Sequence, residues 1–200
     1  KQKSNRISSI LEKKRFELNN MFHIISKRII DYALMHNIDK IIIGYNKNWK
    51  KRSNLGKISN RRFQQIPFAR FVKYLFYKGE EQGIIIKENE ESYTSKCDAL
   101  SQESFTACRT RTVKRRLKRG LYRSSCGHLI NADVNGALNI MRKNVLKEHP
   151  QLVDSLSDYI KTQTSYILNP FKCSIKELFN SPYDFNGYGK FLDFRRPEAA

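Results

Sequence analysis

Acidic residues are scarce: 19 Asp and Glu stand against 38 Lys and Arg, a formal net charge of +19 over 200 residues. An excess of that size goes far beyond what solubility requires, and its field makes a polyanion the partner to expect. Long apolar runs are also missing. No stretch approaches the roughly eighteen consecutive apolar residues of a membrane-spanning helix. With a single Trp, no helix joins a Lys-rich face to a Trp-rich one, so no membrane partner is expected. The first residues, Lys1-Gln2-Lys3-Ser4-Asn5, hold neither an initiator Met nor the apolar core of a signal peptide, and read as a soluble chain without its natural beginning. Cysteine is sparse and scattered: Cys97, Cys108, Cys126 and Cys173, with no CxxC pair. That argues against the disulfide framework of a small secreted domain, and against a closed zinc tetrahedron, which usually takes paired ligands. Buried or idle thiols in a reducing cytoplasm are expected, and zinc is not.

What the chain does have is concentrated in residues 84–140. An apolar run, Ile84-Ile85-Ile86, leads into Glu88, Glu90 and Glu91; a basic block follows, then Asn131-Ala132-Asp133-Val134-Asn135-Gly136. Residues 108–132 contain no Asp or Glu at all. Carboxylates therefore flank a track suited to phosphates, and that arrangement suggests metal ions.

Taken in order, apolar residues at Ile7, Leu11, Leu18, Phe22, Ile25, Ile29 and Tyr32 draw one stripe along a helix over 4–35, packed on a sheet. Residues 40–44, Lys-Ile-Ile-Ile-Gly, form a short β-branched run bounded by turn residues, a buried strand. Residues 45–60 are polar and basic, with Lys47, Trp49, Lys50, Lys51 and Arg52 as candidate nucleic-acid contacts. Tyr45 and Trp49 suit base stacking beside phosphates, and equally suit closing a core edge. Pro67 opens a second amphipathic helix through Phe68, Phe71, Val72, Leu75 and Phe76, which Gly83 ends. Residues 84–86 make a second strand.

Between residues 109 and 123 stand eight basic side chains, Arg109, Arg111, Lys114, Arg115, Arg116, Lys118, Arg119 and Arg123, interleaved with Leu117, Leu121 and Tyr122. The pattern predicts a twisted basic hairpin whose binding to nucleic acid weakens steeply with salt. Asn131 caps a helix with Asp133 in its first turn and Val134, Ala137, Leu138 and Met141 on its inner face. The helix dipole alone accounts for an acid there; the basic surroundings favour a metal ligand.

Several phrases, in order, resemble the C-terminal half of the TnpB family, the OrfB proteins of insertion sequences long labelled transposases. They are Ile-Ile-Ile-Gly-Tyr-Asn-Lys-Asn-Trp-Lys, Phe-Gln-Gln-Ile-Pro-Phe, Tyr-Thr-Ser-Lys-Cys, Lys-Arg-Gly-Leu-Tyr-Arg-Ser and Asn-Ala-Asp-Val-Asn-Gly-Ala-Leu-Asn-Ile. The resemblance spans about 5–143. It implies an α/β, RNase H-like (RuvC-type) mixed sheet flanked by helices, its N-terminal part missing, in an RNA-guided DNA endonuclease that uses guide RNA and Mg²⁺. By resemblance, Asp133 matches the family's third carboxylate. Many members place the second, a Glu, where this chain has Gly44; others, like the eukaryotic Fanzors, carry it just before the Tyr-Thr-Ser phrase, the place of Glu91. Glu91 and Asp133 are thus the expected catalytic and metal-binding residues, close together at one end of the sheet, with Glu88 and Glu90 as fallbacks. The first Asp of the family lies upstream of anything here, and the family's two CxxC pairs are absent, so a metal-free hairpin over 97–128 is expected in place of a zinc ribbon. Residues 1–145 are read as the nuclease core and 146–200 as an extension of helical and irregular character. The rival reading is a non-catalytic nucleic-acid-binding remnant or accessory protein of a mobile element.

Overall fold

The computed structural model describes residues 4–45, 56, 58, 60, 65–110, 112, 114–152 and 158. Its architecture is mixed α/β. In chain order come α1 (Asn5–Met35), β1 (Lys40–Gly44), α2 (Phe68–Glu81), β2 (Ile85–Asn89), α3 (Phe105–Thr110), β3 (Arg116–Lys118), β4 (Leu121–Arg123), β5 (Leu129–Asn131) and α4 (Ala132–Glu148). No helix among these residues is long and apolar enough to cross a membrane. The expected helices at 4–35 and 67–82 and the strand at 40–44 are present. The second strand begins one residue later than expected and runs to Asn89, and α4 runs on to Glu148. Of the extension expected over 146–200, only residues 146–152 and 158 are described.

The chain divides into two compact units, one built on residues up to Ile41 and from 65 to Ile86, the other on 42–45 and the described residues from Lys87 onward. β1 and β2 pair in a two-stranded sheet. Hydrogen bonds from Ile85 N–H to Asp39 O and from Tyr45 N–H to Asn89 O, 2.8 and 2.9 Å, show that the strands run parallel. A parallel pair needs a crossover, and α2 is that crossover.

In the first unit α1 packs on α2. The contact is aromatic and polar by turns: Phe22 meets Phe71 with ring centroids 5.5 Å apart, and His23 stacks on Tyr74 at 4.0 Å. The Tyr74 hydroxyl donates to Asn19 Oδ1, and Lys78 Nζ donates to the His23 carbonyl and to Ser26 Oγ. His23 is therefore a packed residue. Burial on α1 is confined to its later half, at Phe22, Ser26, Ile30 and Ala33, while Phe16 keeps 74% of its surface. The helix ends at Asn37, whose φ of 53° is the left-handed turn that short polar side chains tolerate. Gly79 lets α2 approach the strand that follows: a Cβ there would lie 2.6 Å from Ile86 Cγ1 and 2.8 Å from the Ile84 carbonyl.

In the second unit β3, β4 and β5 make an antiparallel sheet in that order, with Tyr122 opposite Ile130 and a register irregularity between Arg116 and Lys118. β3 is an exposed edge. The strands beneath it alternate, so that Tyr122 and Ile130 are buried with Ala99, Leu100, Ala132 and Leu138, and Val134 and Met141 pack against this cluster. Of the expected apolar inner face of α4, Val134, Leu138 and Met141 are in place, and polar residues share the buried side with them. Ala137 is exposed, whereas Asn135, Asn139 and Arg142 are buried. They satisfy backbone groups of the preceding loop that burial would otherwise leave unpaired.

Candidate active site and nucleic-acid interface

Gly44, the last residue of β1, sets the geometry around Glu91. A Cβ on Gly44 would stand 2.9 Å from Glu91 Oε2 and 3.2 Å from Glu91 Cβ, and would overlap Ile140 Cδ1. The space a side chain at position 44 would fill is thus already taken by the Glu91 side chain and by α4. The approach is fixed from both ends, since the Tyr45 N–H bonds the Asn89 carbonyl and the Asn89 side-chain amide donates to the Ile140 carbonyl at 3.0 Å. One turn further along α4, Lys143 Nζ donates to the Ser92 carbonyl at 2.9 Å.

The acidic candidates differ in what they touch. Glu91 is half-buried, and its carboxylate makes no hydrogen bond or ion pair among the described residues. Glu90 is exposed, takes the Ser92 hydroxyl and lies 3.5 Å from Lys143 Nζ. These two partners, the Ser92 bond first, hold its carboxyl below the ordinary carboxylate range. Glu88 is exposed on β2. Asp133 is exposed in the first turn of α4, where the Asn131 side chain accepts from the Asp133 and Val134 N–H groups at 2.9 and 3.2 Å. The cap is as expected, and it leaves the Asp133 carboxylate free of protein partners among the described residues. Ile140 follows Asp133 by two helical turns on the same face of α4, a rise of about 10 Å. Asp133 and the Glu91 contact therefore share one side of the helix.

A buried polar lattice holds Glu91's turn in place. Asn135 Oδ1 accepts the Ala99 N–H at 3.0 Å, and its Nδ2 donates to the Cys97 carbonyl at 2.8 Å. Asn139 Nδ2 donates to the Thr94 and Cys97 carbonyls, at 2.9 and 2.8 Å. Arg142 reaches the Asp98 and Glu103 carbonyls. The Tyr-Thr-Ser-Lys-Cys phrase and the Asp-Val-Asn-Gly-Ala-Leu-Asn-Ile phrase are thereby two halves of one latch. Asn135, Asn139 and Arg142 recur at helical spacing, a polar stripe along one face that the sequence displays and that a search for apolar stripes passes over.

Asp98 is the other residue the sequence reading missed. Fully buried, it accepts from Ser124 Oγ at 2.8 Å to both oxygens, from Ser125 N–H at 2.7 Å and from Leu100 N–H at 3.1 Å, and it pairs with Arg115. Burial alone would push its carboxyl up; the Ser125 N–H and the bonds from Ser124, Ser101 and Ser125 outweigh that and hold it low. Arg115 is thus engaged in holding the sheet to the 98–101 loop. Arg109, Lys114, Arg116, Lys118, Arg119 and Arg123 are exposed. Lys47, Trp49, Lys50, Lys51, Arg52 and Arg111 lie outside the described residues, and Tyr45 is half-buried.

One group among the described residues brings three metal-capable side chains within 4.8 Å of one another: Cys97, Glu103 and Cys108. Cys97 is a protonated thiol, pushed up to about 12 by burial first and by its Cys108 neighbour second, and it donates to the Glu103 carbonyl at 3.1 Å. Cys126 is exposed, with Ser124 Oγ at 3.0 Å and His128 Nδ1 at 3.2 Å.

The family model of the Cas12f1-like TNB domain matches residues 68–140, from the start of α2 to the residue that meets Gly44. This chain is also similar to a solved structure described as the cryo-EM structure of a Cas12f1–sgRNA–target DNA complex. The two share a TM-score of 0.53 and 19% identity, over 68% of this chain and 36% of that one. The likeness is one of fold, and this chain spans about a third of the length of that protein. No curated protein matches it.

Proposed function

We propose that this chain is the C-terminal part of an RNA-guided DNA endonuclease, with an RNase H-like, RuvC-type core over 1–145, a basic hairpin at 97–128 and an extension over 146–200. In this reading DNA and a guide RNA are its partners. Glu91 and Asp133 are two of the carboxylates of its metal site, completed by a third from upstream. The observation that carries the reading is the seating of Glu91. Its half-buried carboxylate, without a partner among the described residues, fills the space over Gly44, so a neighbouring segment supplies an acid at the strand end where position 44 has none.

The donor set fits Mg²⁺, a hard cation that takes carboxylate oxygens and keeps several waters of its own. Bound there, it would supply the charge that activates water and stabilises the leaving oxygen of a phosphodiester. The chain's own residues do the rest. Asn89, Asn135 and Asn139 fix the segment carrying Glu91 against α4, Asn131 fixes the turn carrying Asp133, and the exposed Arg and Lys of the hairpin neutralise phosphates. Arg115 is not among these, being engaged with Asp98.

Binding of Mn²⁺ as a spectroscopic stand-in for Mg²⁺ tests the site. Changing Glu91→Gln or Asp133→Asn should each weaken Mn²⁺ binding at least about tenfold, as expected when a ligand of a carboxylate site is lost. Equal affinity in parent and both variants would leave the nucleic-acid-binding rival as the better reading.

A further inference from the structure

Three non-glycine residues have a positive φ among those described: Asn37, Tyr93 and Gln102. For Asn the left-handed region is ordinary, but for a residue as bulky as Tyr it is an outlier that needs a reason. Tyr93, with φ of 65°, is the third residue of a tight turn closed by Thr94, whose N–H and Oγ1 donate to the Glu91 carbonyl at 3.2 and 2.8 Å. At that position of such a turn glycine is the residue without strain. The surroundings hold the conformation: the Tyr93 carbonyl accepts the Lys96 and Cys97 N–H groups, both at 3.0 Å, and faces the Cys108 thiol at 3.8 Å.

The ring itself does little for the fold. Tyr93 is 43% exposed and lies outside the buried cluster, and its hydroxyl makes no hydrogen bond among the described residues. Its one described ring contact is the Arg109 guanidinium, 5.9 Å from the centroid. Lys96 is exposed beside it and reaches the Arg109 carbonyl. An exposed aromatic ring, held by its backbone, with a guanidinium over one face and outside the buried cluster, has the composition of a single-strand binding platform.

We propose that Tyr93 is a stacking platform for a nucleobase of a single-stranded segment, with Arg109 beside the adjoining phosphate. The proposal rests on the nucleic-acid reading above and deepens it. Standing two residues beyond Glu91, the ring would hold the strand next to that carboxylate. It is a positioning residue and takes no part in bond making.

The test uses the whole chain without divalent metal. It compares a labelled oligothymidylate with an abasic oligonucleotide of the same length and charge. Tyr93→Gly relieves the backbone and removes only the ring, so the variant should melt no lower than the parent. It should bind the oligothymidylate about tenfold more weakly, the loss of one stacked base, while its affinity for the abasic strand changes by less than about twofold. Tyr93→Phe should bind both as the parent does. The proposal is overturned if Tyr93→Gly binds the oligothymidylate as tightly as the parent, or loses the same factor on both strands. A parent that bound neither strand would instead overturn the nucleic-acid reading beneath it.

Discussion

Gly44 and Glu91 occupy one place between them: a side chain on the first could be accommodated only by moving the second, whose Oε2 would lie 2.9 Å from a Cβ at position 44. A side chain at the strand end and the Glu91 side chain therefore compete for one space, and here Glu91 holds it.

Gly44→Ala should destabilise the protein by about 1–3 kcal/mol, the ordinary cost of overpacking, because the new methyl meets Ile140 Cδ1 as well as Glu91. Adding Ile140→Val, which removes that Cδ1, should recover part of the loss. Denaturant melts of the three proteins decide it, and a neutral Gly44→Ala would show that the space is not occupied as described.

Asp98 should confer acid sensitivity. Its folded carboxyl is held below the ordinary range, so the stability it contributes is present above the unfolded value near pH 4 and is lost as pH falls through the lower folded value. Asp98→Ala leaves Arg115 without its partner and Ser124 and Ser125 without their acceptor. About 3–5 kcal/mol should be lost at neutral pH, with a flatter acid limb in a pH series of melts. A variant as stable as the parent at pH 7 would contradict this.

Replacing Arg116, Lys118 and Arg119 by Ala should flatten the plot of log affinity against log salt for duplex DNA by about 0.9 for each phosphate contact removed. Arg115→Ala should instead act on stability, because its guanidinium is bound to Asp98. An unchanged slope in the triple variant would place the binding surface outside the hairpin.

Of the three described thiols, Cys126 should react first with iodoacetamide. It is exposed, and although burial raises its pKa, the bonds from Ser124 and His128 outweigh this and lower it; Cys97 and Cys108 are buried. Peptide mapping after brief labelling is the check. Early labelling of Cys97 would mean that the 97–108 segment opens readily.

Much of the fold was legible because its signals are local. The β-branched run at 40–44, the apolar face of α2 and the Asn131 cap each announce themselves within a few residues. The lattice of Asn135, Asn139 and Arg142 was not legible, because a buried polar side chain has meaning only through a partner some forty residues away, in the 94–103 loop. Arg115 illustrates the same limit. In sequence it is one more cation in a basic block, and only the position of Asp98 separates it from Arg116. At the candidate site the sequence shows a glycine at position 44 and a glutamate at position 91, but the contact between the two residues needs the third dimension.

The most direct measurement of the central claim is DNA cleavage by this chain joined to the upstream carboxylate proposed above, comparing Glu91→Gln with the parent at fixed Mg²⁺, guide RNA and salt. Cleavage should fall by at least about a thousandfold, a size typical of losing an essential electrostatic group, while affinity for target DNA stays within about twofold. Cleavage retained in Glu91→Gln, above all if it were lost in Glu90→Gln or Glu88→Gln, would contradict the account.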